Sequence, residues 1–178
     1  MRLKQFNYKK VKSTNQTAIK LINKLEDEFG LVISENQSKG KGQYGRKWIS
    51  YKGNLFASFF YPFDQNKFSI EKVTKLNCNL VKKLLSKYVK NEITFKKPND
   101  LLINKEKISG ILQEIITKSD NKFLITGIGI NVIKNPNIKN YPATNLYTIT
   151  GKKIKKSELE NNLKLFFENQ ISKMYKIN

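Results

Sequence analysis

The chain has 178 residues, 39% of them hydrophobic and 11% aromatic, which is enough for one domain with a real core and too apolar for a disordered chain. Its net charge is +20, but the lysines run through the whole sequence, so the charge favours acidic partners in general without singling out nucleic acid. The absence of histidine excludes Ser/His/Asp and Cys/His catalysis and any histidine metal site. The one cysteine, Cys78, excludes an internal disulfide and fits a reducing compartment. No apolar run has the length of a membrane span, and the N-terminus has no apolar signal core. A cytoplasmic protein without membrane contact is expected.

Residues 3–11 alternate roughly and read as an entry strand. Ser13 and Gln16 have the spacing of a capping box, opening a helix with Ala18, Ile19, Ile22 and Leu25 on its apolar face. Polar groups at such a start can cap the helix, hold a small ligand's carbonyl groups, or do both. Leu31-Val32-Ile33 reads as a short strand and Leu55–Tyr61 as a longer, buried one.

Between these strands lies Glu35–Trp48, which carries Gly40, Gly42 and Gly45 among Lys39, Lys41, Arg46 and Lys47. Glycines let backbone amides turn toward an anion, and the cations suit a phosphate or carboxylate. Arginine occurs in the chain only as Arg2 and Arg46. Its presence in this loop points to a need for the planar guanidinium fork.

Ser69 is expected to cap a long helix with Ile70, Val73, Leu76, Leu80, Leu84 and Tyr88 inward, and Cys78 beside that face as a small core residue. Strands at 93–96 and 100–103 flank Pro98-Asn99, which cannot continue a central strand. A hairpin turn at 104–106 leads to a third strand opened by Lys107. Gly110 inside it implies a bulge or a close approach to something, and Asp100 and Lys107 can face one pocket. The strand 123–132 holds Gly127, Gly129 and Asn131 in an apolar run, again a sign of close packing. Residues 134–156 read as loops. Ser157 and Glu160 are expected to cap a last helix with Leu159, Leu163, Phe166, Phe167 and Ile171 inward.

Five pieces in order resemble the catalytic domain of biotin–protein ligases. They are Ser13-Thr14-Asn15 with Gln37, the Gly40-x-Gly42-x-x-Gly45-Arg46-x-Trp48 loop, Lys96-x-Pro98-Asn99-Asp100, Lys107-x-x-Gly110-Ile111-Leu112-x-Glu114 and Gly127-x-Gly129-Ile130-Asn131. The resemblance implies an α/β fold of the class II aminoacyl-tRNA synthetase and biotin synthetase-like type, a mixed sheet flanked by helices. It implies ATP-dependent formation of biotinyl-5′-adenylate, then transfer to a lysine of a biotin carboxyl carrier domain, usually that of acetyl-CoA carboxylase. By similarity, Ser13, Thr14, Asn15 and Gln37 would hold biotin's polar head, with Lys41, Gly42, Gln43 and Gly110 also on the biotin side. Arg46, Trp48, Lys96, Asn99, Asp100 and Asn131 would serve ATP. Lys107 would bridge the two reacting anions, with Arg46 assisting, and Asp100 is a weak candidate ligand for Mg²⁺.

Three departures stand out. Gln43 replaces an arginine associated with adenylate retention, so looser retention is expected. Lys97 stands where many members have tryptophan. The sequence ends without the family's small C-terminal barrel and begins too close to Ser13 for a DNA-binding winged helix. Residues 1–178 are therefore expected to form a single catalytic domain with no DNA partner, and a homodimer through the sheet edge is an expectation by analogy alone. The rivals are a lipoate–protein ligase-like acyl ligase of the same fold and a non-catalytic basic nucleic-acid-binding domain. An octanoyl transferase would need a cysteine nucleophile, and Cys78 is placed away from the loop.

Overall fold

A computed structural model describes residues 1–24 and 28–176; Leu25, expected on the first helix's apolar face, lies outside them. Before the long central helix come β1 (Lys4–Tyr8), α1 (Thr14–Lys24), β2 (Gly30–Ser34), a single 3-10 turn (Gln43–Gly45) and β3 (Leu55–Pro62). Then follow α2 (Ile70–Leu85), β4 (Ile93–Lys96), β5 (Asp100–Ile103), β6 (Glu106–Lys118) and β7 (Asn121–Ile130). The short α3 (Leu146–Thr150) and the long α4 (Lys156–Tyr175) complete the order. The strands form one mixed sheet in the order β1-β2-β3-β7-β6-β5-β4. Only β1 and β2 run parallel; the other neighbours are antiparallel. This is the mixed, helix-flanked α/β sheet expected from the sequence.

The two-residue period of a strand divides the core between the sheet's faces. Toward α2 and α4 point Leu55, Ala57, Phe59 and Tyr61 of β3 with Leu124, Ile128 and Ile130 of β7. Phe59 stacks on Phe167 of α4 with ring centroids 3.9 Å apart. Toward α1 point Phe60, Phe123 and Ile125, packed on Ala18 and Ile22. Beyond Ile125 the same side of β7 carries Gly127 and Gly129, so the α1 face has no side chains there.

Three helix expectations need correcting. The inward face of α2 is Val73, Asn77, Cys78, Val81, Leu84 and Leu85. Ile70 is exposed, Leu76 and Leu80 are half-buried, and Tyr88 lies past the helix end. The apolar pattern is spread too widely on this helix for leucine spacing alone to locate the face. At the last helix, Lys155 is the N-cap and no side chain caps it. Ser157 sits inside the first turn, and Glu160 pairs with Lys156 at 3.3 Å. The region read as loops contains α3, capped by the Asn145 side chain accepting from the Thr148 amide. Ser69 does cap α2, accepting from the Lys72 amide.

Candidate active site

The bare stretch of sheet is the floor of a cavity of about 710 Å³. Gly110 and Gly129 are direct cross-strand partners on β6 and β7, and Gly127 faces Leu112 one step further. The Trp48 side chain lies across the glycine pair. A Cβ on Gly129 would come within 2.4 Å of the indole, and one on Gly110 within 2.9 Å. A Cβ on Gly127 would meet Asn15 Oδ1 at 2.2 Å. The glycines are therefore required by close approach.

Into this cavity the fold brings every candidate residue. Ser13, Thr14, Asn15 and Gln37 line one end, and Lys41, Gly42, Gln43, Arg46 and Trp48 come from the glycine-rich loop. Lys96, Asn99 and Asp100 come from the β4–β5 corner, Lys107 and Gly110 from β6, and Asn131 from just past β7.

Lys107 reaches this face because β6 is irregular. Residues 107 and 110 are three apart and would point to opposite faces of a regular strand. On β5, however, Leu101 pairs with Ser109 and Leu102 with Lys107, which leaves Ile108 as an extra residue. That bulge flips the alternation and returns Lys107 to the side of Gly110 and Asp100. Its ammonium then lies 2.7 Å from Asp100 Oδ1, an ion pair without hydrogen-bond alignment, and 5.3 Å from the centre of the Trp48 ring. The glycine signal thus marked both a bulge and a close approach, two residues apart.

The polar end is built differently. No capping box forms. The Thr14 amide and hydroxyl both donate to Gln37 Oε1, at 2.8 and 3.1 Å, so the glutamine brought by the loop closes the helix start. Gln37 Nε2 donates to Ser50 at 3.3 Å. Asn15 is held on both sides: its amide donates to Glu114 at 2.7 Å, and its Oδ1 accepts from Ser58 at 2.6 Å. Asn15 therefore shapes this end more than it offers free polar atoms.

The glycine-rich loop folds as a small hairpin closed by Gly42 N–H to Arg46 O at 2.7 Å and Trp48 N–H to Gly40 O at 3.0 Å. The Arg46 amide donates to Gln43 O. Two amides expected to face an anion, those of Gly42 and Arg46, are thus used inside the loop, and Lys41, Arg46 and Lys47 line the cavity instead. Tyr44 and Gly45 take positive φ of 54° and 74° at the tip, which glycine adopts without strain. Across the cavity a second segment, the 134–144 strap, contributes Pro136, Ile138, Tyr141 and Ala143. Arg46 stacks on Tyr141 at 5.0 Å. Sequence reasoning passed over this strap, whose prolines and asparagines carry no periodicity.

The lining holds six cations (Lys41, Arg46, Lys47, Lys96, Lys97 and Lys107) against one carboxylate, Asp100. Such a balance suits a polyanion beside a second anion. Three buried polar atoms of the site region make neither a hydrogen bond nor an ion pair: Trp48 Nε1, Asn131 Oδ1 and Thr144 Oγ1. Buried polar groups normally have partners, so these invite a ligand. Among the described residues no cluster of three or more acidic, cysteine or histidine side chains could hold a metal. Cys78 stands on α2, behind the opposite face of the sheet; burial and the Asp100 charge push its thiol up to about 12. It is no nucleophile.

Residues 8–131 match the Biotin/lipoate A/B protein ligase family. The chain belongs to that family. Among its relatives, the bifunctional ligase/repressor BirA of Bacillus subtilis is 33% identical over 88% of this chain and 50% of its own length. BirA of Escherichia coli is 32% identical over 68% of this chain and 38% of its own length. The chain thus spans half or less of these curated relatives. The biotin protein ligase of Aquifex aeolicus, solved with biotin and ATP, superposes with a TM-score of 0.77 at 27% identity, covering 98% of this chain and 73% of that one. The Leishmania major enzyme with biotinyl-5-AMP gives 0.75 at 27% identity, over 92% and 73%. A lipoate protein ligase of Thermoplasma acidophilum, 11% identical with a TM-score of 0.64, shares the fold alone.

Proposed function

We propose that this family member is a biotin–protein ligase, activating biotin with ATP and passing it to a lysine of a biotin carboxyl carrier domain, the usual one being that of acetyl-CoA carboxylase. The observation that carries this reading is one cavity with a neutral polar end at Thr14 and Gln37, a cationic end, and Lys107 between them. In the first step a biotin carboxylate oxygen attacks the α-phosphorus of ATP, and pyrophosphate leaves with the bonding pair of the broken P–O bond. In the second, an uncharged lysine amine attacks the acyl carbon, AMP leaves, and the amine's proton is released.

Nothing in this sequence of steps needs a covalent enzyme intermediate, so the chain's task is positioning and charge stabilisation. The Lys107 ammonium lies where carboxylate and α-phosphate must meet and offsets the repulsion between them. Asp100 keeps that ammonium in place until the substrates arrive. Arg46 and Lys41 extend the positive field along the phosphates. Trp48 over Gly110 and Gly129 offers an apolar wall that shields a mixed anhydride from water. Mg²⁺ fits this site only as an ion carried mainly by phosphate oxygens, with Asp100 as the single protein carboxylate at hand; it would neutralise phosphate charge. The neutral Gln43 leaves one cation fewer to hold the adenylate.

The test is mass spectrometry of the chain mixed with biotin, ATP and Mg²⁺, beside a lipoate control. Biotinyl-5′-adenylate in the biotin sample is expected. An adenylate formed only with lipoate would make the chain a lipoate-activating enzyme, and none with either acid would end the ligase reading.

A further inference from the structure

Asn54 stands at the end of the turn that leads into β3, fully buried and outside the cavity lining. Its Oδ1 accepts three consecutive backbone amides, those of Val132 and Ile133 at 3.0 Å and Lys134 at 3.2 Å. Its Nδ2 donates to the Lys134 carbonyl at 2.6 Å. Few neutral side chains make four bonds to one short segment, and this segment follows Asn131 directly and begins the strap. The Lys134 ammonium over the Tyr51 ring, at 4.9 Å, ties the same two stretches a second time.

The strap is fastened at its base elsewhere by the same residue type. Asn135 Nδ2 donates to Ala143 O, and Asn145 Nδ2 to Asn135 Oδ1, each at 2.6 Å. Its far end pairs with the catalytic strand: Lys107 N–H donates to Pro142 O and Thr144 N–H to Lys107 O. Asn131 Nδ2 reaches the carbonyls of Lys107 and Thr144. Between these anchors only the tip, 136–141, is left to lie over the cavity, where Pro136, Ile138 and Tyr141 line it. Along β6 the strap meets Lys107, whereas Asn15 meets the Leu112 carbonyl and the Glu114 carboxylate. At about 3.3 Å per residue, the strap's contact at Lys107 and the Asn15 contacts are roughly 15 Å apart along β6.

We infer that Asn54 is a positioning residue for the nucleotide end of the site: it sets where the strap leaves β7, and through the strap it sets the wall beside Lys107. This rests on the proposed ligase reading. Without the Asn54 carboxamide, three consecutive amides lose their acceptor and the exit of the strap is free to shift. The polar end, held through Gln37, Ser58 and Glu114, keeps its geometry.

The experiment measures initial rates of biotinyl-adenylate formation for the unsubstituted chain, Asn54→Ala and Asn54→Asp, varying ATP and biotin separately. Asn54→Ala is expected to raise KM for ATP at least tenfold while KM for biotin stays within twofold. Asn54→Asp keeps an oxygen for the three amides and is expected within about threefold of the original ATP KM. A general structural lesion would move both KM values together, and that result, or no change in either, overturns the inference. Amide hydrogen exchange on the unsubstituted chain reads the anchor without turnover. Residues 132–134 are expected to exchange at least tenfold more slowly than tip residues 137–139, and equal rates overturn the inference even where a variant does not fold. Absence of any adenylate from the unsubstituted chain, with slow exchange at 132–134 retained, would overturn the ligase reading and leave the anchor standing.

Discussion

The two faces of the sheet are made by alternate residues of the same strands and obey opposite rules. On the α2/α4 side every position is filled: Phe59 stacks on Phe167, and Leu55, Ala57, Leu124 and Ile128 close around them. On the α1 side the filling stops at Ile125 and gives way to Gly127 and Gly129 opposite Leu112 and Gly110. One face is stable because volume is present, and the other is useful because volume is absent. Removing atoms should therefore harm the first face, and adding atoms should harm the second.

The largest effect that would sharpen this contrast is Phe167→Ala, which removes a ring from the filled side. A loss of about 3–5 kcal/mol in stability is expected, read by denaturant unfolding, with adenylate formation per folded molecule retained. Lys107→Ala inverts the pattern. Adenylate formation should fall about 10²–10³-fold with little change in unfolding midpoint, because the ion pair with Asp100 is part-exposed and worth little to stability. A large loss of stability there would break the comparison.

The glycines give a finer test. Gly127→Ala drives a Cβ into an Asn15 side chain locked by Ser58 and Glu114, so about 1–3 kcal/mol of overpacking is expected along with loss of biotin affinity. Gly129→Ala meets the Trp48 ring, which stands on a loop and can move aside. Ligand affinity should fall there with less than about 1 kcal/mol lost in stability. Equal stability losses at the two glycines would show that Trp48 is as fixed as Asn15.

A further effect appears only at alkaline pH. Burial first, and the Asp100 charge second, raise the Cys78 thiol from 9.0 to about 12. A raised folded value means the fold holds a proton that the unfolded chain releases, so stability is complete below pH 9 and declines as pH rises toward 12. Unfolding midpoints across the alkaline range should fall, and Cys78→Ala should flatten the slope. Tyr61, raised by its own burial, acts in the same direction and will leave part of the slope in place.

Much of this architecture is legible in the sequence because local chemistry dictated it. The Pro98-Asn99 corner sets the ends of β4 and β5, and the glycines in β6 and β7 announce the floor. What escaped reading depends on contacts distant in sequence. The Thr14 amide is taken by Gln37, 23 residues away, a closure of the helix start that local spacing around Ser13 and Gln16 could not reveal. Five-residue α3 is too short to show a helical period. The asparagines that fasten the strap look like compositional habit until the fold brings Asn54 beneath Val132. The amides of the glycine-rich loop were expected to face a ligand, but a bridge between Lys41 and Lys47 closes the loop on itself.

Trp48 is the chain's one tryptophan, and it rests on the glycine floor with the Lys107 ammonium near its ring. All indole emission from this protein therefore originates inside the cavity, with no background from the packed side. Its indole N–H is buried without a partner, so a ligand that supplies an acceptor or displaces the ring must change its spectrum. The molecule carries its own optical gauge of occupancy, readable by titration before any product is assayed.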